Sequence, residues 1–176
     1  MLSIETRIKA AIRDVPDFPQ PGILFKDITP ILLDPKLCSD IVDAFIDALP
    51  EKPDIICAVE SRGFFFGTLL ANKMAIPFVP IRKKGKLPGD TVEHSYDLEY
   101  GSATIEIHKG VLSANAKVLI HDDLIATGGT VSAAAELVLK EGGQVAAFSF
   151  LIDLTFLNGK EKLKAYTNNI VALVEY

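Results

Sequence analysis

Apolar positions along this 176-residue chain change period several times, and each change marks an element. In residues 3–13, Ile4, Ile8, Ala11 and Ile12 fall on one helical face behind Ser3, a good N-cap. Pro16, Pro19 and Pro21 then force an irregular or extended path. Residues 35–49 carry a second helical face at Ile41, Phe45, Ala48 and Leu49, closed by Pro50 and Pro53. Residues 54–59 form an apolar run of the kind a buried parallel strand needs. Residues 63–74 read as a helix with almost no polar side before Asn72 and Lys73, and 78–81 as a short strand. Residues 83–97 are polar, contain Gly and Pro, and show no clear period, so a long excursion is expected there. Residues 100–107 have a hairpin-like pattern with Gly101-Ser102 at the turn, and 117–121 are the expected central strand. Val131, Ala134, Ala135, Val138 and Leu139 make a helical stripe that stops at Gly142-Gly143. A strand over 145–152, a short helix over 159–165 and a last strand over 170–174 complete the pattern.

Strand and helix alternate over most of this length, which predicts an α/β fold with a central, mainly parallel sheet flanked by helices. No repeat or linker divides the chain, so residues 1–176 are expected to form one domain, with about 1–33 as a small N-terminal hood. In open sheets of this class ligands bind beyond the carboxyl ends of the strands. Two polar segments fall at such ends, Glu60-Ser61-Arg62 and Asp122-Asp123.

Composition narrows the function classes. Apolar residues make up 49% of the chain and charged residues 23%, which excludes a disordered chain. The formal net charge of −5 gives no general attraction to nucleic acid or an anionic membrane, so any anion site must be local. There is no secretory leader pattern and no apolar run long enough to span a membrane, so a cytoplasmic location is expected. Cys38 and Cys57 are too far apart for a CxxC pair, and His94, His108 and His121 have no partners at metal-ligand spacing.

The segment with the most chemistry is 118–130, Val-Leu-Ile-His-Asp-Asp-Leu-Ile-Ala-Thr-Gly-Gly-Thr. An apolar strand delivers Asp122 and Asp123 close to a turn, Thr127-Gly128-Gly129-Thr130, that opens a helix. Carboxylates accept hydrogen bonds from sugar hydroxyls or bind a metal, while Gly-rich backbone, threonine hydroxyls and a helix N-terminus donate to phosphate. A ribose phosphate needs both. Arg62, before Gly63, can grip a phosphate bidentately, or else pair with Glu60 at a helix start. Arg82-Lys83-Lys84-Gly85-Lys86 is a local basic run, either a solvated face or the root of a lid over the site.

The segment 118–130 resembles the phosphoribosyl diphosphate motif of the type I phosphoribosyltransferases. Four further stretches narrow the resemblance to the adenine-using members of that family: Phe18-Pro19-Gln20-Pro21-Gly22-Ile23-Leu24-Phe25-Lys26-Asp27-Ile28-Thr29-Pro30, Val59-Glu60-Ser61-Arg62-Gly63-Phe64, Arg82-Lys83-Lys84-Gly85-Lys86-Leu87-Pro88-Gly89 and Leu98-Glu99-Tyr100-Gly101. They occur in the family's order and cover essentially the whole chain.

The resemblance implies the type I phosphoribosyltransferase fold with a flexible catalytic loop over about 83–99. It implies a purine-salvage glycosyltransferase that moves the phosphoribosyl group from 5-phosphoribosyl 1-diphosphate to adenine, giving AMP and diphosphate. On this reading Ala126–Thr130 hold the 5-phosphate and Asp122 and Asp123 the ribose hydroxyls, while Arg62 and Lys83 meet the diphosphate. Glu99 assists proton movement at the purine, with Tyr100 packed over the reaction centre. Leu24, Phe25 and Lys26 form one side of the adenine pocket and Leu154 the other, although a lysine at 26 cannot reproduce the bidentate contacts of the arginine found there in other members. Mg²⁺ is the implied cofactor, held mainly through diphosphate and water with no direct protein ligand, and a homodimer is the implied assembly. Phe64-Phe65-Phe66 and a mean hydropathy of +0.29 agree with apolar surface set aside for such an interface. Two alternatives stay open: an oxopurine as the base, and a non-catalytic sensor of phosphoribosyl diphosphate.

Overall fold

The computed structural model describes residues 2–97 and 101–176. Its first helix, α1 (Ile4–Ala11), starts where Ser3 accepts a hydrogen bond from the Thr6 N–H. The chain then forms a small antiparallel pair, β1 (Arg13–Pro16) and β2 (Leu24–Asp27), joined by a proline-rich turn with a cis Phe18–Pro19 peptide. The prolines do hold the turn irregular, but the residues on either side of them pair. A 3-10 turn over Thr29–Leu33 leads into α2 (Pro35–Ala48), capped by Asp34 and buried through Leu37, Ile41, Val42 and Phe45.

The main sheet has seven strands. After β3 (Ile55–Val59), α3 (Gly63–Met74) crosses to β4 (Phe78–Lys83); β5 (Thr91–Asp97) and β6 (Ser102–His108) follow as a hairpin. Then come β7 (Lys117–Ile125), α4 (Gly129–Lys140), β8 (Gln144–Asp153), the short α5 (Lys160–Leu163) and β9 (Ile170–Glu175). The spatial order is β5-β6-β4-β3-β7-β8-β9, parallel from β4 to β9 and antiparallel at β4–β6–β5. Side chains alternate across the sheet, as a period of two requires. Ile55, Cys57, Val59, Ile120, Phe148 and Phe150 face α4 and α5, while Ile56, Leu119, Ala147 and Leu151 face α1, α2 and α3. Among the described residues no helix is long and apolar enough to cross a membrane.

Two expectations need correction. Residues 83–97 are not an irregular excursion throughout, because Thr91–Asp97 is strand β5, in register with β6 from Thr91↔His108 to Asp97↔Ser102. β5 lies at the sheet edge and alternates half-buried with exposed positions, so its sequence lacks the apolar signal of a core strand. The central strand also runs four residues past His121. β7 pairs with β3 only as far as Ala58↔His121, but with β8 as far as Ile125↔Asp153. Asp122 and Asp123 therefore lie within β7, on the stretch that has outrun β3.

Candidate active site

That one-sided overhang opens a cavity of about 530 Å³ at the carboxyl edge of the sheet. Its walls come from the turn after β3, the end of β4, the β5–β6 hairpin and the β7–α4 connection. Gly63 lets α3 start directly against β7: a Cβ there would come within 3.0 Å of the Asp122 carboxylate and 3.1 Å of the His121 carbonyl. The Glu60–Ser61 peptide just before it is cis.

Ion pairs join these walls. Arg62 Nε donates to Asp123 Oδ2 at 2.5 Å, and the Arg62 guanidinium lies 4.8 Å from the Phe25 ring centroid on β2. The expected alternative, Arg62 with Glu60, is not formed. Glu60 instead accepts from Arg82 Nε at 2.6 Å. Val59 is in register with Ile81, so the next residues on β3 and β4, Glu60 and Arg82, meet across the edge. Asp122 Oδ1 accepts the Asp123 N–H at 2.8 Å. Burial, reinforced by the Asp123 charge and only partly offset by Arg62, holds the Asp122 carboxyl well above the usual carboxylate range.

The wall at the start of α4 is built from backbone. Gly128 has φ of +78°, which a side chain rarely adopts, and a Cβ on it would meet the Gly159 carbonyl at 2.7 Å. The turn is thus seated on the segment before α5, with α4 beginning at Gly129. Thr130 Oγ1 lies 3.1 Å from the Tyr96 hydroxyl of β5, closing the wall from the hairpin side. Below the basic run, buried Glu106 on β6 accepts the N–H groups of Lys86 and Leu87 at 2.9 and 2.8 Å. This fixes the turn that follows Lys83, and with these backbone donors the Glu106 carboxyl is lowered despite its burial. His121, fully buried beneath the acid pair, bonds through Nδ1 to Ser149 Oγ at 2.8 Å and is pushed down to about 3 by burial.

Of the residues singled out from sequence, Arg62, Lys83, Asp122, Asp123, Ala126, Thr127, Gly128, Gly129 and Thr130 line the one cavity. Leu24, Phe25, Lys26 and Leu154 do not line it. Phe25 reaches its rim through Arg62, and Leu24 is 50% exposed on the hood. Leu154 follows β8, with its N–H donating to the Ile125 carbonyl at 3.0 Å. Glu99 and Tyr100 lie outside the described residues. Sequence reasoning passed over Arg82 and Tyr96 as wall residues. The β3–β4 register signals the first; the second needed β5 to be recognised.

The chain matches the family model described as "Phosphoribosyl transferase domain" over residues 32–169. It is 51% identical to the adenine phosphoribosyltransferase of Cytophaga hutchinsonii over 174 residues, covering 98% of this chain and 96% of that protein. The crystal structure of adenine phosphoribosyltransferase from Thermoanaerobacter pseudethanolicus superposes with a TM-score of 0.94 at 46% identity, covering 99% and 100% of the two chains. The Saccharomyces cerevisiae enzyme, crystallised with an imino-altritol bisphosphate and adenine, gives 0.89 at 42% identity, covering 98% and 99%.

Proposed function

The chain belongs to the phosphoribosyltransferase family, among its adenine phosphoribosyltransferases, and on that premise we propose that it transfers the phosphoribosyl group of 5-phosphoribosyl 1-diphosphate to adenine, forming AMP and diphosphate. The observation that carries this reading is the meeting in one cavity of an acid pair, an anion-binding turn and three basic side chains, Arg62, Arg82 and Lys83. Ala126–Thr130 take the 5-phosphate on the Gly128 turn and the start of α4. Asp122 and Asp123 accept hydrogen bonds from the ribose hydroxyls. This grip on the far end of the substrate aligns C1 for attack.

At C1 the bond to diphosphate breaks with oxocarbenium character, so the catalytic demand is to stabilise negative charge on the leaving group. Arg62 and Arg82 are held at the cavity wall by Asp123 and Glu60, and each can turn its free N–H groups to the diphosphate. Lys83 joins them from the end of β4. The carboxylates here suit a hard cation, and the diphosphate brings oxygens of its own. That fits Mg²⁺ held mainly through diphosphate and water, which when bound supplies further neutralisation of the leaving group. On the base side, the backbone of β2 at Leu24–Lys26 and the Phe25 ring face Leu154 across the adenine, Glu99 receives the proton that adenine loses, and Tyr100 covers the reaction centre. We read the working form as a cytoplasmic homodimer.

The test is AMP formation, followed spectrophotometrically with phosphoribosyl diphosphate, Mg²⁺ and each of adenine, hypoxanthine, guanine and xanthine. Product from adenine alone is expected. Turnover of an oxopurine would overturn the base assignment and leave the sugar-phosphate site standing. Phosphoribosyl diphosphate binding with no product from any base would make the chain a sensor.

A further inference from the structure

The side chain of Lys26 turns away from the cavity. Its ammonium donates to Asp14 Oδ1 on β1 at 2.7 Å and lies 3.9 Å from the centroid of the Tyr176 ring. Only 9% of the side chain remains exposed. Lys9 of α1 approaches the same ring at 5.4 Å. The backbone of Tyr176 is fixed on the other side of the site. Its N–H donates to the Asp153 carbonyl at 2.9 Å, and its carbonyl accepts from the Thr155 N–H at 3.0 Å and the Thr155 hydroxyl at 2.7 Å. Leu154 lies between those two anchors. One residue therefore grips the 153–155 segment with its main chain and the hood strand β2 with its ring.

We propose that Tyr176 is a positioning residue for the base side, setting through Lys26 how β2 stands against Leu154 and hence how well adenine is held. This rests on the reading of Leu24–Lys26 and Leu154 as the adenine site. A buried ammonium needs partners to replace water. The Asp14 carboxylate is 53% exposed, so that pair alone is screened. The negative face of the aromatic ring supplies the rest, and it does so only with Lys26 drawn inward. Without the ring the ammonium returns to water and β2 follows it outward.

The experiment compares the full chain with Tyr176→Leu, Lys26→Met, their double variant and Tyr176→Phe. Tyr176→Leu and Lys26→Met are each expected to raise the KM for adenine about five- to tenfold, with kcat and the KM for phosphoribosyl diphosphate changed less than about twofold. The double variant should be no worse than either single one, since both remove one contact. Tyr176→Phe keeps the ring and should keep the KM. Amide exchange at residues 24–27 should quicken in the Leu and Met variants alone, while residues 122–130 keep their protection and report an intact sheet. Additive effects, an unchanged adenine KM, or a Phe variant as impaired as Leu would overturn the proposal. If the unaltered chain makes no AMP, the base-site reading fails by itself. Exchange at β2 then still decides the contact: unchanged rates in the Leu and Met variants overturn it, faster ones support it.

Discussion

On the proposed reading, the sugar-phosphate side, which lines the cavity, and the base side, which lies beside it, are assembled in opposite ways. The first is one continuous segment, 122–130, leaving a nine-residue strand and entering a twelve-residue helix. Asp123 on that segment is 4% exposed, and the Gly128 turn rests on the backbone of Gly159. The second is brought together from β2 in the hood and the segment after β8. It depends on a two-stranded pair, half-exposed ion pairs and one aromatic ring. A phosphate grip built into the sheet is fixed before substrate arrives, whereas a base pocket made from a hood can adjust. On that reading, preorganisation thus falls to the grip on the phosphoribosyl donor and adaptability to the pocket for the incoming base.

That contrast can be broken at its strongest point first. Asp123→Ala removes a ribose acceptor and leaves Arg62 without its carboxylate. A fall of roughly a hundredfold or more in kcat/KM for phosphoribosyl diphosphate is expected, read in the AMP assay. A loss under threefold would mean that the acid pair is not part of the grip. Gly128→Ala is next. It combines a strained φ with a 2.7 Å approach to a carbonyl, so the KM for phosphoribosyl diphosphate should rise on the order of tenfold or more with adenine KM little changed.

The sheet beneath the acid pair makes a pH prediction. His121 is folded in its neutral form with its value pushed down to about 3, against an ordinary 6.5. Between those values the unfolded chain takes up a proton that the folded chain does not. The stability tied to His121 is therefore complete above about pH 6.5 and lost progressively as pH falls. At pH 5 the His121 contribution alone has fallen by about 2 kcal/mol. Asp122, whose carboxyl is raised, acts in the opposite sense, so the His121 share is read as the difference between the chain and His121→Asn in urea unfolding at pH 7.5 and pH 5. A ring that NMR shows titrating near 6.5 would sink this account. The smallest effect should come from the hood. Phe25→Ala is expected to raise the adenine KM about fivefold, by loss of an apolar face, with the KM for phosphoribosyl diphosphate nearly constant. Equal rises in both constants would show that the Arg62–Phe25 contact couples the two sides, and the contrast would soften.

Legibility followed the same division. Residues 118–130 could be read because strand, acids, turn and helix stand side by side in the chain, and α2, α3 and β3 because their apolar faces are wide and buried. β5 was missed because an edge strand with one half-buried face has no apolar run. Arg62 carried two readings that local spacing could not separate, and its partner, Asp123, comes from another strand.

By itself the sequence determined the order of the helices and buried strands, the mainly parallel sheet and the acid pair beside a Gly-rich turn, since periodicity, turn residues and neighbouring side chains act over a few positions. Tertiary structure alone decided that β7 outruns β3 to open the cavity, that Arg62 takes Asp123 while Arg82 takes Glu60, and that Lys26 turns from the cavity to Tyr176. Each of those outcomes depends on strand register and on contacts between distant segments, and both are set by the packing of the whole core.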